Sequence, residues 1–328
     1  MVARALMSGS IVITGGCGFL GAALAQRIVD KGVTLPDGRH LAAPQVQLWD
    51  LPNARVPVLP NVTFNAIDIT DKDAVVAAMP DDIALVYHLA AVVSGQAEAD
   101  YDLGMKINLG GTNTVLEAVK EIRPGVPVIG TSSLAVYGGN PQEPLSEATQ
   151  IQPQNTYGVT KAMAELVMAD YRRRGWVDAR TLRLPTITVR PGTPNAAASS
   201  FASSIIREPL GGVPAICPVH PDMALWVASP DAAVAALWHA PSVSDDDWPA
   251  FGAVNVPGLQ VQVFSMIAAL RARAGDGTAD LIEMKPDQKI IDIVGTWPTL
   301  FDTSLAQSLG FQGDAGFDAI LDQAFLMK

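Results

Sequence analysis

The segment "SIVITGGCGFLGAALAQRIVDKG", from Ser10 to Gly32, restricts the fold of this chain more than any other stretch. A β-branched run halts at glycine, as a buried strand does. Apolar residues then recur at helical spacing until Gly32, a residue suited to ending a helix. Between them Gly15, Gly18 and Gly21 stand three apart, and Gly16 to Gly21 also fits G-x-G-x-x-G. At a strand–turn–helix junction the first glycine makes the tight turn and the second lets a pyrophosphate approach the backbone. The third lets the helix pack on the sheet, and the helix N-terminus favours an anion. Phe19 and Leu20 lie inside this loop and belong to the same expected cofactor site.

The pattern repeats downstream. "VQLWD", "DIALVYHLAA", "VPVIGTSS" and "DARTLRLPTI" read as strands. "DKDAVVAAM", "NLGGTNTVLEAVKEI" and "TYGVTKAMAELVMADYRRRG" read as helices, and "TLPDGRHLAAP" as an irregular loop. Strands alternating with helices predict an α/β fold, a Rossmann-type doubly wound parallel sheet covered on both faces. Regularity fades after Val189, where Pro, Gly, Ser and Ala dominate. A boundary near residue 186 gives a dinucleotide-binding domain over 8–185. Residues 186–328 then form a smaller mixed α+β substrate lobe, part of which returns to the sheet.

Asp50 ends the second strand. A carboxylate there accepts hydrogen bonds from adenosine ribose hydroxyls and repels a 2′-phosphate, which points to NAD over NADP. It lies farther than the usual ~20 residues from the glycines, and the insertion around Pro36 to Pro44 accounts for this. In "AIDITD", Asp68 either sits beside the adenine, with Ile69, or serves a helix start. "HLAAVVSG" follows a strand at the carboxyl edge, where ligands bind in such sheets. Leu89, Ala90 and Ala91 there allow close approach of a dinucleotide, and His88 reads as packing at the strand end.

Composition narrows the partners. The 328 residues carry a net charge of −11, which repels nucleic acid. No run reaches the ~18 apolar residues of a membrane helix. The start "MVARALMSGS" lacks the apolar core of a secretory signal. With just two cysteines, this predicts a cytoplasmic protein without a disulfide framework. The four histidines show no metal-ligand spacing, so no metal is expected.

Tyr157 and Lys161, in "TYGVTKAMAE", are i and i+4 and share a helix face. A free tyrosine has a pKa of about 10, and bringing it to neutrality takes about three units, or roughly 4 kcal/mol. An adjacent ammonium favours the phenolate, which can then take the proton of an alcohol as its hydride leaves. Ser133, at the end of "VPVIGTSS", would hold the reacting oxygen. Tyr137 has Pro141 four residues on in place of a lysine, and reads as structural or pocket-lining.

Together "TGGCGFLG", "HLAA", "SSLAVYG" and "YGVTK" resemble the extended short-chain dehydrogenase/reductase family, which includes nucleotide-sugar epimerases and dehydratases. The resemblance spans nearly the whole chain, from "KINLGGTNTVLEA" to "FDTSLAQSLGF". It implies Ser133, Tyr157 and Lys161 as the catalytic triad, with Asn108 in support. It also implies Lys161 on the nicotinamide ribose, Pro185 near the nicotinamide, and a homodimer formed by helices 108–122 and 157–173.

The substrate class follows from what the second half lacks. After Arg207 no lysine or arginine occurs until Arg271. Where nucleotide-sugar enzymes carry an arginine, this chain reads "MALWVASPDAA". A diphosphate would meet poor charge complementarity. A single carboxylate needs one arginine, with Arg190 and Arg207 as candidates, and Asn195 and serines could bind hydroxyls. "RLPTITVRPGTPNAAASSFASSIIREPLGG" resembles a branch of the family that oxidises the C2 hydroxyl of a four-carbon sugar acid with NAD. That likeness implies that Ser94, Ser133, Tyr157, Arg190, Asn195 and Arg207 surround a small hydroxy acid. Two alternatives stay open: a nucleotide-sugar epimerase or dehydratase with tightly held NAD, and a dinucleotide sensor without catalysis.

Overall fold

A computed structural model describes residues 9–139, 141–192 and 197–326. Seven strands form the main sheet: β1 (Ser10–Thr14), β2 (Gln45–Asp50), β3 (Val62–Ala66), β4 (Ile83–His88), β5 (Pro127–Ser133), β6 (Asp178–Leu184) and β7 (Ala253–Asn255). Their order is β7-β6-β5-β4-β1-β2-β3, and every pairing is parallel. The chain works outward from β1 through β2 to β3, then crosses to β4 on the other side. That reversal places a crevice at the carboxyl end of β1, where open sheets of this kind bind ligands.

β1 and β4 are buried at every position, which is why they read as unbroken apolar runs rather than alternating ones. Helix α1 (Phe19–Lys31) buries Leu24, Ala25 and Ile28 in the main core. The predicted irregular loop after α1 contains a short antiparallel hairpin, Val33–Thr34 with His40–Leu41. Strands of two residues are too short to show a period. Leu35 and Leu41 anchor the hairpin in the same core.

Helix α2 (Thr112–Ile122) is preceded by a π-helical turn over Met105–Gly111, and Asn108 within that turn is buried. Helix α3 (Thr156–Arg173) starts beside the exit of β5. Asn155 caps it, accepting from Gly158 N at 2.8 Å. A Cβ on Gly158 would lie 2.1 Å from Ala135 O, so glycine there lets the helix start against the β5 exit.

After β6 a second sheet forms from Thr186–Ile187, Ala224–Ala228 and Leu259–Gln262, with Ala224–Ala228 in the middle. Helix α4 (Phe201–Leu210) packs there through Ile205 and Ile206, in a core shared with Val227, Met266 and Leu270. Two later segments lie on the main sheet's side. Helix α5 (Pro230–His239) shares a core with α1 through Ala233 and Leu237. β7 then pairs with β6, Ala253 opposite Thr181. Among the described residues no helix is long and apolar enough to cross a membrane.

Candidate active site

A cavity of about 460 Å³ runs over the carboxyl ends of the main strands. Its walls include Gly15, Gly18, Phe19, Leu20, Asp50, Asp68, Ile69, Leu89, Ala90 and Ala91, then Ser94, Ser133, Tyr157, Lys161, Pro185 and Arg190. Sixteen positions scattered over more than half the chain thus meet at one crevice.

The glycine loop forms one end. Gly15 has φ +66°, and a Cβ there would come within 2.8 Å of Ala90 N. A Cβ on Gly21 would lie 2.6 Å from Gly15 O, so only glycine lets the helix close on the turn. Gly18 caps α1 with no side-chain bond, and no acidic residue stands in the first turn. The start of α1 therefore offers an anion uncontested backbone donors. Asp50 Oδ2 accepts from Cys17 N at 3.0 Å and Oδ1 from Leu51 N at 2.8 Å. Those bonds fix the carboxylate at the loop's rim and leave lone pairs for two ribose hydroxyls. Asp68 Oδ1 accepts from Thr70 N and Oγ1, while Asp71 caps the next helix. These residues fit a dinucleotide: a bare helix start for its phosphates and an anchored carboxylate for its ribose.

At the other end stand the titratable groups. The Ser133 hydroxyl accepts from Ala135 N at 3.2 Å and lies close enough to Tyr157 to favour its phenolate. Burial raises the Tyr157 pKa above its ordinary value, and the Arg190 charge opposes that rise. Lys161 is pushed down to about 8 by burial, with Glu165 working against the shift. Its Nζ donates to Thr131 O at 2.9 Å and lies 5.8 Å from the Tyr157 ring centre. Arg190 is a cation that favours Tyr157 ionisation.

Arg190 is held from two sides. Nε donates to Ile187 O at 2.9 Å and Nη2 to Ser199 Oγ at 2.8 Å. Burial and the neighbouring Arg207 push its pKa down, and no carboxylate counters them among the described residues. Ser94 Oγ accepts from Ala198 N at 3.0 Å, tying the strand-exit loop to this wall.

Two expected site residues fall elsewhere, and a third lies outside the described residues. Arg207 does not line the cavity: Nη1 donates to Arg190 O at 2.6 Å and Nη2 to Glu208 Oε1 at 2.5 Å. Its charge is answered by Glu208, so it buttresses Arg190 instead of facing a ligand. Asn108 is also off the cavity wall. Its side chain grips Val92, accepting from N at 2.8 Å and donating to O at 3.2 Å. Asn195 lies outside the described residues. Tyr137 is fully buried, within 2.9 Å of Asn255 Oδ1, and does not line the cavity.

Other wall residues had no sequence signal of their own. Thr131 contributes a carbonyl, invisible as a residue type. Ser199 is one of several serines in "SSFASS". Trp297 reaches the cavity from a segment far along the chain.

A profile of the NAD dependent epimerase/dehydratase family matches residues 11–226, and this chain belongs to that family. It is an NAD-dependent oxidoreductase. It is 46% identical over 318 residues to the D-erythronate dehydrogenase of Cupriavidus necator, covering 95% of this chain and 96% of that one. It is 38% identical to the D-erythronate dehydrogenase of Haemophilus influenzae, over 95% and 98% of the two chains. A solved structure titled as a nucleoside-diphosphate-sugar epimerase from Agrobacterium tumefaciens superposes with a TM-score of 0.86 at 35% identity. That match covers 98% of this chain and 95% of the other.

Proposed function

We propose that this protein oxidises the C2 hydroxyl of a short sugar acid, D-erythronate or a close relative, to the 2-oxo acid. The observation that carries this reading is Arg190. It is a cation with no carboxylate partner among the described residues, clamped at the cavity wall and electrostatically coupled to Tyr157. A substrate carboxylate supplies the missing counter-charge. Its neighbouring carbon, C2, then falls beside the tyrosine. The D-erythronate dehydrogenase relatives support the same substrate class.

Tyr157 serves as the general base. As its phenolate it takes the hydroxyl proton, and Ser133 holds the same oxygen. Lys161, anchored on Thr131 O, is placed for the cofactor's ribose beside Tyr157. Gly15, Gly18 and the start of α1 hold the pyrophosphate, and Asp50 holds the adenosine ribose. When bound, NAD supplies the acceptor for the hydride released from C2. Ser94 and Ser199 stand near Arg190 to meet the remaining hydroxyls.

The experiment is direct. Purified protein with NAD and a panel of C4 to C6 aldonates produces NADH with at least one four-carbon acid. Turnover confined to a nucleotide sugar sinks the proposal. That second reading has one observation in its favour, the likeness to the Agrobacterium nucleoside-diphosphate-sugar epimerase. It predicts tightly held NAD, no net NADH and nucleotide-sugar binding by calorimetry. The cation-free stretch from 208 to 270 and the pairing of Arg207 with Glu208 count against it.

The same reading includes a homodimer built on α2 and α3. Leu166 on α3 is half exposed, at 52%, and a partner helix would cover it. Light scattering in solution at twice the 34.5 kDa chain mass tests this.

A further inference from the structure

A buried chain of hydrogen bonds lies beneath the cavity and includes a histidine that the proposed chemistry does not use. Thr14, His88, Asn108, Thr112 and Thr160 are each at most 6% exposed. Their proton positions follow from one fixed point. A carbonyl can only accept, so the Thr112 hydroxyl gives its proton to Asn108 O at 2.6 Å. The Thr112 oxygen, 2.9 Å from His88 Nε2, must then accept from that nitrogen. A neutral ring leaves Nδ1 bare, and it accepts the Thr14 hydroxyl proton at 2.8 Å. The Thr14 oxygen accepts from Ala90 N at 3.2 Å. On the other side Asn108 binds Val92 and donates to Thr160 Oγ1 at 3.2 Å. Thr160 gives its own proton to Tyr157 O at 2.9 Å.

We infer that His88 is a positioning residue, fixed as the neutral Nε2–H tautomer, which locks the cofactor floor at Ala90 and Val92 to the helix turn carrying Tyr157 and Lys161. Each hydroxyl in the chain both gives and receives, so the chain has one polarity and no slack. Either other state of the ring breaks it. The Nδ1–H tautomer sets two donors against each other at Thr14 and leaves Thr112 without one. An imidazolium does the first and adds a charge near Lys161. Burial and the Lys161 charge push the ring's pKa down to about 3, which matches a ring that stays neutral. Gly15 approaches Ala90 closely, so a shift of Ala90 reaches the phosphate turn at once.

This inference rests on the cavity being the NAD site, not on the identity of the acid. Two readouts need no substrate. Long-range ¹⁵N–¹H correlation spectra, with His88 assigned by its loss in His88→Gln, show a protonated Nε2 and a bare Nδ1 from pH 5.5 to 8.5. Calorimetry shows NAD binding weakened roughly three- to tenfold in Thr14→Val and in Thr112→Val. The double variant is no weaker than the worse single one, because one break already uncouples the chain. An Nδ1–H or titrating ring in wild type overturns the proposal, even if the variants do not fold. So does NAD affinity within twofold of wild type in both folded single variants, whatever the tautomer. NAD binding by wild type without aldonate turnover removes the proposed substrate and leaves this inference standing.

Discussion

Arg190 is a cation that favours ionisation of the Tyr157 hydroxyl, and Lys161 lies 5.8 Å from the tyrosine ring centre with its Nζ on Thr131 O. The charge that binds the proposed substrate is therefore also one that tunes the proposed base. Removing it disfavours the phenolate, so the Tyr157 pKa rises further. In Arg190→Met the acidic limb of the kcat profile moves to higher pH. KM for the acid rises by roughly 10-fold or more, the weight of a charge-assisted hydrogen bond of ~1.5–3 kcal/mol. A pH–rate series on wild type and variant checks both; an unmoved limb refutes the coupling.

Tyr157→Phe keeps the ring beside Lys161 and deletes the base. Turnover falls by ~10²–10⁴-fold, the usual weight of an acid–base group. NAD affinity changes little, because the glycine loop and Asp50 are untouched. Steady-state kinetics with NAD titration calorimetry separate the two. Undiminished turnover would overturn Tyr157 as the base.

Asp50→Ala removes the anchored carboxylate at the loop's rim. KM for NAD rises by roughly 10- to 100-fold, matching the loss of ~1.5–3 kcal/mol of charged hydrogen bonding. Discrimination against NADP shrinks, since the charge that repels a 2′-phosphate is gone. Parallel NAD and NADP titrations decide it.

Stability should carry a mark of Lys161. Its folded pKa is about 8 against an ordinary 10.5. Between those values the unfolded chain binds the extra proton, so stability rises with pH across the window and the strain of a buried ammonium fades. Urea melts of the apoprotein from pH 7.5 to 9.5 show a gain that Lys161→Met lacks. Equal slopes in the two proteins would disprove it.

Glu165, one turn beyond Lys161, forms a fully buried ion pair with Arg183 at 2.6 Å. Glu165→Gln strands the arginine charge and lowers stability by ~3–5 kcal/mol, the usual cost of breaking such a pair. Urea denaturation measures it. A change under 1 kcal/mol would mean that Tyr137, which accepts from Arg183 at 2.5 Å, carries the contact alone.

Much of this was legible because particular residues leave strong local marks. Gly15 and Gly21 announce positions that no side chain fits, and β1 and β4 announce themselves as unbroken apolar runs. Other elements leave none. β3 is a half-exposed edge strand, and β7 has three residues, too few for a period. The π-turn that buries Asn108 cannot be told from an α-helix by sequence spacing. Arg190 and Arg207 looked alike as candidates. What separates them is Glu208, whose orientation toward Arg207 is a tertiary fact. The spacing of Lys161 brings it near Tyr157, but the Thr131 carbonyl of β5 that holds its Nζ leaves no mark in the sequence.

The return of the chain from the second sheet to lay β7 against β6 has a consequence for engineering. The part of the molecule proposed to choose the substrate cannot be exchanged as a cassette. A chimera cut near residue 186 would import a foreign edge strand, together with Asn255, the neighbour of Tyr137. Changing the accepted acid is better attempted side chain by side chain at the cavity wall, leaving the shared edge native.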